Sequence, residues 1–175
     1  NKVSDQKGAV AEKIRRYVIG GGFMFAMCSA TDSFDIALAA NDVDICEPMF
    51  DGDPSDANYQ GQLDFDRTFA FQNFVLERNP LRYEFSSIDM TPKRSNVPKE
   101  SDYFSLMEFS AKWDPVPTML TQNHTTLVKG FMGQTTSFTR EQVKPTAMVL
   151  GECKLNGEAR YIHGIKGKGF FTFYG

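Results

Sequence analysis

Apolar positions along the chain change period several times. Between Ser4 and Gly20, Val10, Ile14, Tyr17 and Val18 recur at i, i+4, i+7 and i+8, one stripe on a helix. The spacing predicts an amphipathic helix of about eleven residues, with Glu12, Lys13, Arg15 and Arg16 forming its solvated face. Gly20 to Gly22 end it, since glycine takes positive φ without a Cβ clash. Phe23 to Met27 is then an unbroken apolar run, which predicts a strand covered on both faces of a mostly parallel sheet. Ser29 and Thr31 suit a helix N-cap, and Asp32 and Asp35 suit its positive end. Thr31 to Ala40 reads as a helix packing through Phe34, Ala37 and Leu38, followed by a short strand at Val43 to Cys46. Helix, strand, helix, strand is a βα pattern with parallel pairing and right-handed crossovers.

Beyond Pro48 the period shortens. Phe50 to Asn58 is an acidic turn-forming loop, and Phe65 to Met90 breaks into short β segments around Gln72-Asn73 and Pro80. Thr91 to Asp102 reads as an exposed connection, Tyr103 to Phe109 alternates, and Trp113 to Pro117 is forced into an extended passage by its prolines. Met148 to Leu150 predicts a strand, and Asn156-Gly157 a hairpin between Gly151–Leu155 and Ala159–His163. Phe170 to Tyr174 is a final buried strand. The expected fold is α/β, a flavodoxin-like parallel sheet in one domain over residues 1–175, with a β-rich excursion at about 50–117. No βαβ run precedes the first strand, so the chain is expected to be the C-terminal part of a larger fold, with one sheet face or edge open or covered by another chain.

Composition narrows the functions. A net charge of −3 and an isoelectric point near 5.4 argue against nucleic acid or an anionic membrane as main partner. No apolar run is long enough to span a bilayer, so an integral membrane protein is not expected. The chain opens on Asn1-Lys2-Val3 without a methionine, as a processed or partial chain would. Its partner is then a protein or the remainder of a longer chain. Cys28, Cys46 and Cys153 are widely spaced, with no CxxC and no Cys/His pairing, so neither a metal nor a cofactor is expected.

Candidate chemistry centres on Cys28. A thiol between an apolar strand and a helix start has the form of a nucleophile elbow, flanked here by Ala26 and Ala30 where glycines are usual. As nucleophile it would draw on the Ser29 backbone N–H and the Gly21-Gly22 region for the oxyanion, with Thr31 and Asp32 beside them. The bland alternative is a small buried residue ending a core strand. Asp51, Asp53 and Ser55 imitate the start of a calcium loop, but Asp56 and Gln62 stand where glycine and glutamate are required. Lys166-Gly167-Lys168-Gly169 lacks phosphate-loop spacing and reads as a β turn, with His163 a strand-end residue beside it.

Phe23 to Ala40, Trp113 to Thr136 and Glu158 to Gly175 together resemble the ThuA-like branch of the class I glutamine amidotransferase-like fold. The likeness is nearest to bacterial envelope proteins labelled asparagine synthetase B. It implies a cell-envelope location, periplasmic or outer-membrane-associated, with the signal peptide removed. In this family an elbow cysteine attacks glutamine, assisted by a later histidine and glutamate. Cys28 matches the nucleophile, whereas neither His124 nor His163 matches the histidine. The resemblance therefore implies a degenerate, non-catalytic amidotransferase-like protein that binds a small ligand or forms a complex. The alternatives are a cysteine-dependent amide hydrolase of glutaminase type and a ThuA-like sugar-utilisation activity.

Overall fold

The computed structural model describes residues 2–90, 98, 101–106, 126–131 and 133–175. Helix α1, Val3–Ile19, runs seventeen residues, longer than its apolar stripe predicts. Its buried side is Ala11 and Val18 with Ile14 packed against the core, whereas Val10 and Tyr17 face outward. Strand β1, Phe23–Met27, follows, and then α2, Ser29–Ala39, which begins two residues before the predicted Thr31. A single-turn helix α3 spans Pro48–Asp51. The remaining strands are β2 Tyr103–Leu106, β3 Leu127–Lys129, β4 Ala147–Cys153, β5 Ala159–Lys166 and β6 Gly169–Tyr174.

These strands form one curled six-stranded sheet in the order β1-β6-β5-β4-β2-β3. Among the described residues only β1 and β6 pair in parallel, and the other pairs are antiparallel. The flavodoxin-like parallel sheet is thus overturned. The cause lies in the connections. Asn156-Gly157 and Gly167-Lys168 are tight turns, with Gly157 at φ 70° and Gly167 at φ 62°, and a tight turn can join antiparallel strands only. The Gly167-Lys168 turn is the plain β turn expected there. A parallel crossover after α2 never occurs, because residues 43–46 join no strand. The expected β-rich excursion also fails over residues 65–90, which hold only isolated bridges such as Phe71 to Val143 and Leu76 to Ser86. The proline passage at Trp113 and the segment through His124 lie outside the described residues.

Strand β1 is an edge, not a central strand. Phe23, Phe25 and Met27 are 45, 51 and 55% exposed on one face. In register beside them stand Phe170 and Tyr174 of β6 and, further on, the exposed Ile165 of β5. The opposite face of the sheet carries the core. Phe171 and Phe173 meet Phe34 of α2 and Phe69, Phe71 and Phe138 from the loops, with the Phe34 and Phe69 rings edge-to-face at 5.1 Å. Burying each such ring contributes roughly 1.5–3 kcal/mol. Gly169 lets α1 and β1 close on β6: a Cβ there would lie 2.1 Å from the Val18 carbonyl oxygen and 2.2 Å from that of Gly22. At the other end of the sheet Arg160, 1% exposed, pairs with buried Asp102 at 2.9 Å.

Candidate functional site

The turn from β1 into α2 is strained. Cys28 has φ 55° and ψ −139°, a region that a residue with a Cβ occupies at a cost of about 1–3 kcal/mol. Both of its peptide groups are pinned. Its N–H donates to the Tyr174 carbonyl at 2.9 Å, extending the β1–β6 ladder by one residue. Its carbonyl accepts from the Thr31 N–H at 3.0 Å and the Thr31 hydroxyl at 2.7 Å. Sheet and helix together over-determine the strained conformation. Cys28 itself is the N-cap residue, without a side-chain cap bond, so Ser29 and Thr31 are inside the helix and not its caps. The cysteine is exposed, and its Sγ–H donates to the Gln134 carbonyl at 2.9 Å. The bland reading of Cys28 as a buried strand end does not describe this residue.

Gln134 belongs to a tight turn over residues 133–136, closed by the Thr136 hydroxyl donating to the Gly133 carbonyl at 3.0 Å. Thr135 has φ 52°, a second strained non-glycine residue facing the first. Its N–H donates to Asp89 Oδ2 at 2.8 Å. Its hydroxyl lies 3.2 Å from Asp32 Oδ2, and Asp32 Oδ1 accepts the Ser33 N–H at 2.8 Å. Asp32 is buried completely, and burial, seconded by the charge of Asp89, pushes its carboxyl up to about 7. The constellation is therefore Cys28, Asp32, Asp89, Gln134 and Thr135. Asp89, Gln134 and Thr135 carry no sequence signal, since a Gln-Thr-Thr run or a lone Asp in a loop is ordinary surface composition.

Not every predicted residue comes to the site. Thr31 and Asp32 do, and Ser29 opens α2 directly after the thiol. Gly21 and Gly22 stand before β1, at its opposite end, roughly 20 Å of strand away from Cys28. They abut the β5–β6 turn, where the Gly22 carbonyl accepts the Phe170 N–H at 3.2 Å, and cannot hold an oxyanion at the elbow. His163 is on β5, two strands from β1, in register with Thr172 and through it with mid-strand Phe25. Its Nδ1 is 3.2 Å from the Thr172 hydroxyl, and burial lowers its pKa. His124 lies outside the described residues.

Two other features surround α2. Asp44, Asp51 and Asp53 gather within 4.8 Å of one another, but the Lys2 ammonium sits among them, 3.2 Å from Asp44 and 2.6 Å from Asp53. A cavity of about 440 Å³ opens between α2 and the loops at 43–50 and 76–85, floored by Ile36, Ala37, Val43, Leu76 and Phe85. Cys46 lines it, its thiol pushed up to about 11 first by burial and then by Asp51, which disfavours the thiolate. Among the described residues no helix is long and apolar enough to cross a membrane. Comparison of the chain with family models, curated proteins and solved structures gives no match.

Proposed function

We propose that the protein is a non-catalytic component of the bacterial cell envelope whose Cys28 elbow holds an amide- or acyl-bearing small ligand without turning it over. One observation carries this reading: the exposed thiol stands on a strained turn at a helix N-terminus, yet its proton is given to a backbone carbonyl. A carbonyl can hold an S–H but cannot remove its proton, so attack on an amide lacks a base at this position. The helix N-terminus still offers unpaired N–H groups to a ligand oxygen.

A second reading, the cysteine-dependent amide hydrolase, is favoured by the strain itself. Left-handed backbone at a cysteine is costly and is characteristic of sites where chemistry uses it. In that reading Sγ bonds to the amide carbon, the Ser29 N–H takes the oxyanion, ammonia leaves with the thiol proton, and water then frees the acyl group.

The two readings separate in one experiment. An electrophilic diazoketone analogue of glutamine should modify Cys28 in the folded chain, located by peptide mass spectrometry, while glutamine yields no ammonia above the Cys28→Ser control. Ammonia release that Cys28→Ser abolishes would establish the hydrolase. Failure of Cys28 to react with the analogue would remove the elbow site altogether.

A further inference from the structure

The two edges of the sheet are built differently. Strand β3 is three residues long and ends on exposed Lys129, features that discourage a further strand from pairing there. Strand β1, Phe-Met-Phe-Ala-Met, holds no charge, proline or bulge, and the chain from Tyr17 to Thr31 carries no charged side chain. Its ladder to β6 uses alternate residues. The Gly22 carbonyl accepts the Phe170 N–H at one end, and the Cys28 N–H donates to the Tyr174 carbonyl at the other. Met24 and Ala26 between them therefore bond to β6, and Phe23, Phe25 and Met27 turn their N–H and C=O groups to the open side. Among the described residues none of these open groups has a hydrogen-bond partner. The side chains of the same three residues lie on the exposed face.

We propose that the open edge of β1 pairs with β1 of a second copy of this chain, antiparallel about a two-fold axis at Phe25. A two-fold interface must be self-complementary, and the row Phe23, Phe25, Met27 meets that condition. Phe25 lies opposite Phe25 of the second copy, and Phe23 lies opposite its Met27 on both sides of the axis. All three fall at hydrogen-bonded positions, so each opposed pair exchanges both of its N–H to C=O bonds. No open backbone group then remains on the row in either copy. Directly opposed residues point to the same face, which sets ring beside ring at the axis and thioether beside ring at its flanks. With the row and both its ends uncharged, no like charges face each other. A foreign strand would have to supply a matching apolar row, whereas a second copy carries it. The contact is small, so the dimer should dissociate on the order of 10 µM.

Sedimentation equilibrium of the folded chain between about 1 and about 200 µM reads the pairing, and the wild type should pass from monomer to dimer over that range. Phe25→Lys sets two ammonium groups against each other at the axis and should weaken association by about tenfold to a hundredfold. Phe25→Glu should do the same. An equimolar mixture of the two variants should dimerise again, because a residue that meets its own copy then meets the opposite charge. Phe25→Cys in a Cys28→Ser background separates edge pairing from stacking of the two exposed faces. Paired strands place the two Cα atoms about 5.5 Å apart, within disulfide reach, whereas stacked sheets lie about 10 Å apart, beyond it. Mild oxidation should therefore give a disulfide-linked dimer. A wild type that stays monomeric at the top of the range, or a dimer that Phe25→Lys leaves unchanged, would overturn the proposal, as would a dimer whose Phe25→Cys form resists cross-linking. Should Phe25→Lys fail to fold by circular dichroism, the wild-type sedimentation and the cross-link decide.

Discussion

Two aspartates sit one turn apart on α2, both completely buried, and they do opposite things. Asp35 accepts the backbone N–H of Phe69 at 2.7 Å and those of Ala70 and Phe71 at 2.8 Å each. Its two oxygens thus anchor the loop that carries the phenylalanine core, and every partner is a donor, the arrangement an ionised carboxylate satisfies. Asp32 accepts the Ser33 N–H, and its other oxygen faces a hydroxyl that also lies near a second acid. Burial raises both carboxyls, Asp35 to about 6 and Asp32 to about 7. Burial and a shifted pKa therefore do not distinguish a structural acid from a functional one. The partner list does: Asp35 meets backbone donors only, whereas Asp32 faces a hydroxyl and a second acid beside a strained thiol.

The sharpest way to break this comparison is to remove the anchor. Asp35→Ala leaves three buried N–H groups unpaired and should cost about 3–5 kcal/mol, measured by urea unfolding. A loss below 1 kcal/mol would mean that the 69–71 loop does not depend on Asp35.

The next largest effect is the pH dependence of stability. An Asp32 carboxyl raised from 3.8 to about 7 holds its proton more tightly folded than unfolded. Its contribution is complete below about 3.8 and is lost as pH rises toward 7, so the melting temperature should fall across that window. Asp32→Asn should flatten the curve and, at pH 8, exceed the wild type by roughly 2 kcal/mol. The fall that remains belongs to Asp35 and should end near pH 6. Identical pH curves for wild type and Asp32→Asn would place Asp32 with the anchors.

Strain gives the smallest effect. Glycine tolerates φ 55°, so Cys28→Gly should stabilise the fold by about 1 kcal/mol in thermal or urea melts. A destabilised Cys28→Gly would show that the elbow conformation carries no stored cost.

The amino-acid sequence alone determined the local elements around the site: a helix ending at Gly20, a strand at Phe23 to Met27, a sharp turn at Cys28 and a second helix, along with the late hairpins. Short-range physics decides these, since an apolar run, a glycine stop and an Asn-Gly turn act over a few residues. Placement of β1 was not legible. An apolar run looks the same whether both faces are buried or one is exposed at a sheet edge, and the antiparallel order follows from tight turns far along the chain. Nor was the site itself. Cys28, Asp32, Asp89 and Thr135 span more than a hundred positions, and neither the strain of Thr135 nor its contact with Asp32 has any sequence pattern. Only the packing of the 133–136 turn against α2 brings them together, because burial and hydrogen-bond competition are properties of neighbours in space.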